Sequence, residues 1–513
     1  MDTESKKASM VRRSTTVRFF RWLFRWRTLG GIAFVLFCLL TVGFLILVEE
    51  NWRGRRAWDK FRAEQEAKGE RFDFGSFLPK PAPPEQNFAM TPLLAPLLDY
   101  QIRNGDFEWR DSNALARAQS VSISQRGKGS EDVLPQGNWQ RGEFCNLSNW
   151  QAFYRENTNY PVTESLPEPG RGVLAALKKY EPVLAELRTA SERPYSVFPV
   201  HYHDGSGLLL QHLSVLKGLS QLAQLHALAG LEAGRSDDAL ADVKLGFFLA
   251  QSIRAEPILI SHLVRLAIVQ LTLQPVWEGQ ARHQWSDVQL QELQKIIASV
   301  DLLCDFAQAL RGERAFNLET MRQMRAGGPD ANQVPKALRS LMPTGWLYQN
   351  QVVIARAYEQ VLLPVVDPAK RRVYPEHRGT NQLLSVLGKR TPYNIFAWML
   401  LPALERSSAR FAQGQMGLDL AMVGCALERF RLSHGQLPES LGELVPQFIG
   451  KVPNDIMDGQ FLRYRKQSDT SYLLYSVGWN QADDGGEIAL TKSKPPRLDF
   501  THGDWVWKGA SGK

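Results

Sequence analysis

The chain has 513 residues, with 61 Lys and Arg against 53 Asp and Glu, a formal charge of +8 and a pI near 9.2. Residues 1–28 alone hold eight Lys and Arg against Asp2 and Glu4, a net +6, which leaves the rest close to neutral at +2. Basicity confined to one end attracts anionic lipid headgroups rather than a polyanion, so a nucleic-acid partner is excluded.

The basic stretch 1–28 is followed by an uncharged run, Leu29–Val48, dominated by Phe, Leu, Ile and Val. At about 1.5 Å per residue it covers roughly 30 Å, the thickness of a bilayer's hydrocarbon core. The run predicts one transmembrane helix over 29–48. Lys and Arg precede it, whereas Glu49 and Glu50 follow it at once. The tail 1–28 is therefore expected in the cytoplasm, and the body on the far side of the membrane. Trp22, Trp26 and Trp52 suit the interfaces. Leu47-Val48-Glu49-Glu50-Asn51 offers no small-x-small cleavage site, which favours an uncleaved signal anchor.

Residues 49–195 read as a juxtamembrane and loop-rich region. A charged helix is expected over 49–68 and a stiff proline-rich hinge over 78–84. Short helices with scattered aromatics, among them Trp109, Trp139 and Trp150, are expected over 100–195.

Residues 196–404 read as a helical domain. Leu209, Leu213, Leu216, Leu219 and Leu222 recur at three- and four-residue steps. Glu232-Ala233-Gly234-Arg235-Ser236-Asp237 then supplies a stop glycine and a capping residue, and Ala239, Leu240, Val243 and Phe247 carry the return helix. This hairpin is similar to a tetratricopeptide-type unit, so a helical, repeat-like bundle is expected. Further helices are predicted around 256–279, 286–299, 301–325 and 345–363, with Ser286 or Asp287 as a cap. The four cysteines lie far apart and form no C-x-x-C pair, which predicts buried thiols over a zinc site; one disulfide stays open.

In residues 405–513 a long helix over 408–433 leads into His434-Gly435-Gln436-Leu437-Pro438, then Leu444-Val445-Pro446 and Val452-Pro453-Asn454-Asp455. Two strands are predicted at Phe461–Arg465 and Tyr472–Val477, followed by Gly478-Trp479-Asn480-Gln481-Ala482-Asp483-Asp484-Gly485-Gly486-Glu487. This order resembles the globular head of the major pseudopilins of type II secretion systems over about residues 412–487. The resemblance implies a small α+β head and a calcium ion in the last loop, held by Asn480, Asp483, Asp484 and Glu487. The same residues also read as a solvated Asp-Gly turn. The pattern departs from the family: Leu437 replaces an aromatic, Asn454 replaces an Asp, and the anchor lies more than 350 residues upstream without a prepilin processing motif. A polymerising pilin subunit is therefore not expected.

His201-Tyr202-His203-Asp204, with His212 nearby, is the best enzyme-like cluster. Alternate histidines can share a metal, although Asp204 also reads as a helix cap. No H-E-x-x-H, G-x-S-x-G, Walker or G-x-G-x-x-G motif is present. The expected whole is mainly α, non-enzymatic and membrane-tethered, a scaffold or binding protein for other envelope proteins. The alternative is a metal-dependent hydrolase built on His201 and His203.

Overall fold

The computed structural model describes residues 19, 22, 26–103, 106–121, 123, 134, 136–160, 166–333, 342–377, 380–404 and 406–509. The basic stretch expected over 1–28 lies almost entirely outside these residues, as do 510–513 of the C-terminal tail.

The apolar run and the charged segment after it form one helix, α1, Trp26–Glu66. No proline interrupts it, and its charged half carries i,i+4 ion pairs such as Arg62 to Glu66 at 2.6 Å. Its apolar half is bare: Phe34, Leu36, Phe37, Leu40 and Phe44 are all more than half exposed. Its polar half packs on the body at Gly54 and through Trp58, which meets Phe72 edge-on at 5.7 Å.

A β-hairpin pairs β1, Tyr100–Arg103, with β2, Asp106–Trp109. Four short helices follow: α2, Ser112–Ser120; α3, Leu147–Glu156; α4, Pro169–Leu177; and α5, Glu181–Ala190. Then comes the central hairpin of α6, Gln211–Glu232, and α7, Ser236–Ser252. Gly234 turns between them at φ +74°, and Asp237 and Asp238 start α7, where the helix dipole favours them. The core continues with α8, Leu259–Ala281, α9, Asp287–Ala298, and α10, Leu302–Ala326. A Ser286–Gln289 capping box starts α9, and the Asp301 carboxylate accepts from the amides of Leu303 and Cys304 to start α10.

α8 is long and apolar enough to cross a membrane by those measures alone, but two-thirds of its apolar stretch is buried, against none of that in α1. It is a core helix.

α11, Thr344–Ala357, lies along α1 and borrows its cap from it. The Asn51 side chain accepts from the Gly345 amide at 2.9 Å and the Thr344 hydroxyl at 3.0 Å. A small hairpin, β3 Val366–Asp367 with β4 Arg372–Val373, precedes α12, Thr380–Leu387, and α13, Ile395–Leu404. α14, Ser407–His434, is buried for most of its length and ends at Gly435 with φ +77°.

The C-terminal strands are antiparallel. β5, Arg463–Lys466, β6, Tyr472–Ser476, and β9, Trp505–Lys508, form one sheet in the order β5-β6-β9, while β7, Ile488–Leu490, pairs with β8, Leu498–Gly503. Trp507 carries this sheet onto α14 and α8: its indole donates to Gln280 at 3.0 Å, and a Cβ on Gly424 would lie 2.8 Å from the indole nitrogen. One continuous core therefore runs from Trp58 through the central helices to Trp507. All four cysteines are free thiols, with Cys145 and Cys425 buried.

Candidate functional site

The two histidines singled out in the sequence do meet an acid. Residues 202–207 form a tight turn before α6, pivoting at Gly205 with φ +64°. A Cβ there would lie 2.7 Å from the carboxyl carbon of buried Asp330, so both the backbone angle and the space call for glycine. The turn brings His203 Nε2 to 3.2 Å and His201 Nδ1 to 3.9 Å from the Asp204 carboxylate. The Tyr100 ring meets His201 at a tilt, with centroids 4.4 Å apart, and its hydroxyl donates to Asp204 at 3.1 Å. Burial, with the hydrogen bond and charge of Asp204, pushes the Tyr100 phenol up to about 12.

Among the described residues this is the one group of three or more His, Cys, Asp or Glu side chains whose ligand atoms all lie within 4.8 Å of one another. Two imidazoles and a carboxylate suit a zinc-like ion, and His203, with an 80% exposed side chain, leaves the solvent side open. His212 does not join them. It is buried against Phe198, with Nε2 2.7 Å from Glu256. The third donor is Asp204, whose adjacency in sequence was its only signal.

In the 478–487 loop the expected ligands are spread among different partners. Asp483 accepts from the Tyr475 hydroxyl and from the Gly485 amide, both at 3.0 Å, whereas Asp484 accepts from Asn480 at 3.0 Å. The Glu487 side chain is exposed. The carboxylate that turns inward on this loop is Asp504, which the sequence did not suggest. It accepts from the amides of Gly486 at 2.7 Å and Asp484 at 3.3 Å. Burial, reinforced by the charges of Asp484 and Asp483, still pushes its carboxyl up to about 6. The donors are all oxygens, as a hard cation requires.

A third feature has no counterpart in the sequence reading. A cleft of about 540 Å³ opens between α9, α14, the β3–β4 turn and the 451–459 segment. Lys370, Arg371, Arg372 and Lys451 line it, with Gln415 and Asp419 on the α14 side. Arg371 adopts a left-handed backbone, φ +48°, and one of its terminal nitrogens bridges both Asp419 oxygens at 2.9 and 3.0 Å. Burial pushes the Asp419 carboxyl up to about 6 despite Arg371 and Gln415. Lys370 also pairs with Asp367 at 3.2 Å and Arg372 donates to the Met457 carbonyl at 3.2 Å, but cations outnumber acids on the lining, which gives the cleft the character of an anion-binding surface. The cluster Lys370-Arg371-Arg372 was its visible trace, but Lys451 joins it only through the fold.

No protein-family model, curated protein or solved structure matches this chain.

Proposed function

We propose that the chain is a membrane-tethered binding or scaffolding protein, anchored in the bacterial inner membrane by residues 29–48, with its body in the periplasm. The observation that carries this reading is the continuity of α1. A wholly exposed apolar half needs a non-aqueous environment, and the other half is packed into the body, so the body is held at that boundary. The order of α14, the two prolyl turns and the strands supports a pseudopilin-like head in residues 405–513, one that binds other envelope proteins without polymerising. The basic cleft suits an acidic segment of such a partner. A photo-crosslinking residue at Lys370 tests this in native membranes. A discrete protein adduct that disappears with Lys451→Glu supports the reading, and the absence of any charge-dependent adduct contradicts it.

The second reading, a metal-dependent hydrolase, is favoured by one observation, the convergence of His201, His203 and Asp204. The ion would sit between the two imidazoles and the carboxylate and would supply Lewis acidity to a bound water. Stoichiometric zinc that is lost with His203→Ala would favour it over a purely structural turn.

A further inference from the structure

α13 is a surface helix with the wrong outer face for water. Its sequence, Ile395-Phe396-Ala397-Trp398-Met399-Leu400-Leu401-Pro402-Ala403-Leu404, contains no charged side chain. Ala397 and Leu401 point into the core, whereas Ile395, Met399, Pro402 and Ala403 point outward together with Pro392 just before the helix. Those positions follow the three- and four-residue helical step, so they form one stripe. Met399 is 69% exposed, as bare as Phe34 in the apolar half of α1 at 68%. A helix packed on a soluble core ordinarily turns charged or polar residues outward.

The location of the stripe is fixed by contacts to α1. Tyr393, two residues before α13, donates to Glu50 at 3.0 Å and accepts from Arg53 at 3.3 Å. Glu50 lies two residues past the end of the apolar run at Val48. Asn350 of α11 then holds the start of α13, accepting from the Phe396 amide at 3.0 Å and donating to the Pro392 carbonyl at 2.8 Å. Ile395 and Met399 thus sit within about one or two helical turns, roughly 5–11 Å, of Tyr393, whose hydroxyl reaches the exit of α1. Trp346 meets Tyr393 at 6.2 Å, and Arg390 lies over Trp398 at 4.9 Å. Lys389 and Arg390 are exposed beside Leu384, itself 39% exposed. Aromatic rings, exposed aliphatics and cations close together are what the headgroup boundary of a bilayer accommodates.

We propose that α13, with the exposed edge of α12, is a second membrane contact: an interfacial helix that lies in the headgroup layer beside α1. This rests on the reading of 29–48 as a membrane anchor. The body is then held at two points, one spanning and one lying on the surface, so the rest of its surface has a fixed direction relative to the bilayer. The occupant is lipid rather than another chain because the stripe is tied to the end of the apolar run and is bordered by cations, which complement anionic headgroups.

The test uses the full chain with Cys38→Ala and Cys304→Ser, reconstituted in vesicles of phosphatidylethanolamine with phosphatidylglycerol. A polarity-sensitive fluorophore is attached in turn at Met399→Cys, at Leu39→Cys within the run and at Val288→Cys, a solvent-facing control that is 72% exposed. Lipids brominated near the carbonyl end should quench position 399 severalfold more than position 288, with a blue-shifted emission, and lipids brominated near the end of the acyl chain should quench position 39. Quenching at 39 but none at 399 beyond the control overturns the interfacial contact and leaves the anchor standing. No quenching at 39 overturns the anchor itself. Shielding of 399 from aqueous iodide without lipid quenching means that protein covers the stripe, which also overturns the proposal.

Discussion

Gly54 of α1 and Gly345 of α11 meet backbone to backbone. A Cβ on Gly54 would lie 2.6 Å from the Gly345 Cα, and one on Gly345 would lie 2.9 Å from the Asn51 amide nitrogen. Neither residue has a positive φ, so the requirement is one of space rather than of backbone angle. The close crossing lets Asn51 cap α11, and buried Arg314 secures the segment after α1 by donating to Glu70 and to the Arg71 carbonyl, both at 2.8 Å. α1 thus leaves the body as a fixed strut.

Gly345→Leu should force the two helices apart. Overpacking of this kind typically costs about 1–3 kcal/mol. The variant should melt earlier in detergent and become sensitive to trypsin at Arg53, Arg55 and Arg56. An unchanged melt and digestion pattern would show that the crossing holds nothing.

A buried charge network gives a pH signature. His226 contacts Asp242 at 2.5 Å and Glu181 at 2.9 Å, and Asp242 also pairs with Arg188. Burial disfavours the charged ring, but the hydrogen bond and charge of Asp242 and then Glu181 outweigh it, so its pKa is raised. A raised histidine binds more protons folded than unfolded. Its stabilisation is full below about pH 6.5 and is lost as pH rises through the folded value. His226→Gln should cost about 3 kcal/mol near pH 6, with the deficit narrowing toward pH 9 in melts of both proteins. A deficit that is flat with pH would exclude a charged His226.

Zinc added to the metal-free chain should raise its melting temperature, and His201→Ala or His203→Ala should each abolish the rise. Ligand at about a hundred times its dissociation constant stabilises by about 2.7 kcal/mol. His212→Ala should leave the zinc response intact, because that ring faces Glu256.

Calcium is expected to act at the other end of the chain. It should raise the melting temperature at pH 7 over an EDTA control, and less at pH 5, where Asp504 is protonated. Asp484→Asn should weaken the effect. Equal melts with calcium and EDTA would leave the 478–487 loop as an ordinary turn.

The local elements were largely legible. The leucine steps over 209–222 and the Gly234 break correspond to α6 and α7, Ser286 caps α9, and the 408–433 expectation differs from α14 by one residue at each end. Periodicity and caps are short-range signals, so one sequence suffices for them. The hairpin of β1 and β2 was missed inside a region read as loops, although Asn104-Gly105 lies between the two strands in sequence. β9 was missed because Trp505–Lys508 is strand-like only beside β6. The basic cleft and Asp504 were illegible for a related reason. Lys370 and Lys451 are some eighty residues apart, and Asp504 reaches the acidic loop only because β9 closes the sheet. The outward stripe of α13 was hidden because an apolar decamer reads as core until its neighbours are known.

Whether α1 spans a membrane is read from the topology of its two flanks. Cysteines introduced one at a time at Val288 and at Ser9, in the background with Cys38→Ala and Cys304→Ser that leaves only buried Cys145 and Cys425, would be probed with an impermeant maleimide in cells whose outer membrane has been opened. Labelling is expected at 288 before lysis and at 9 only after it, with the protein retained in membranes after a carbonate wash. Labelling of both positions before lysis, or release of the protein by carbonate, would contradict it.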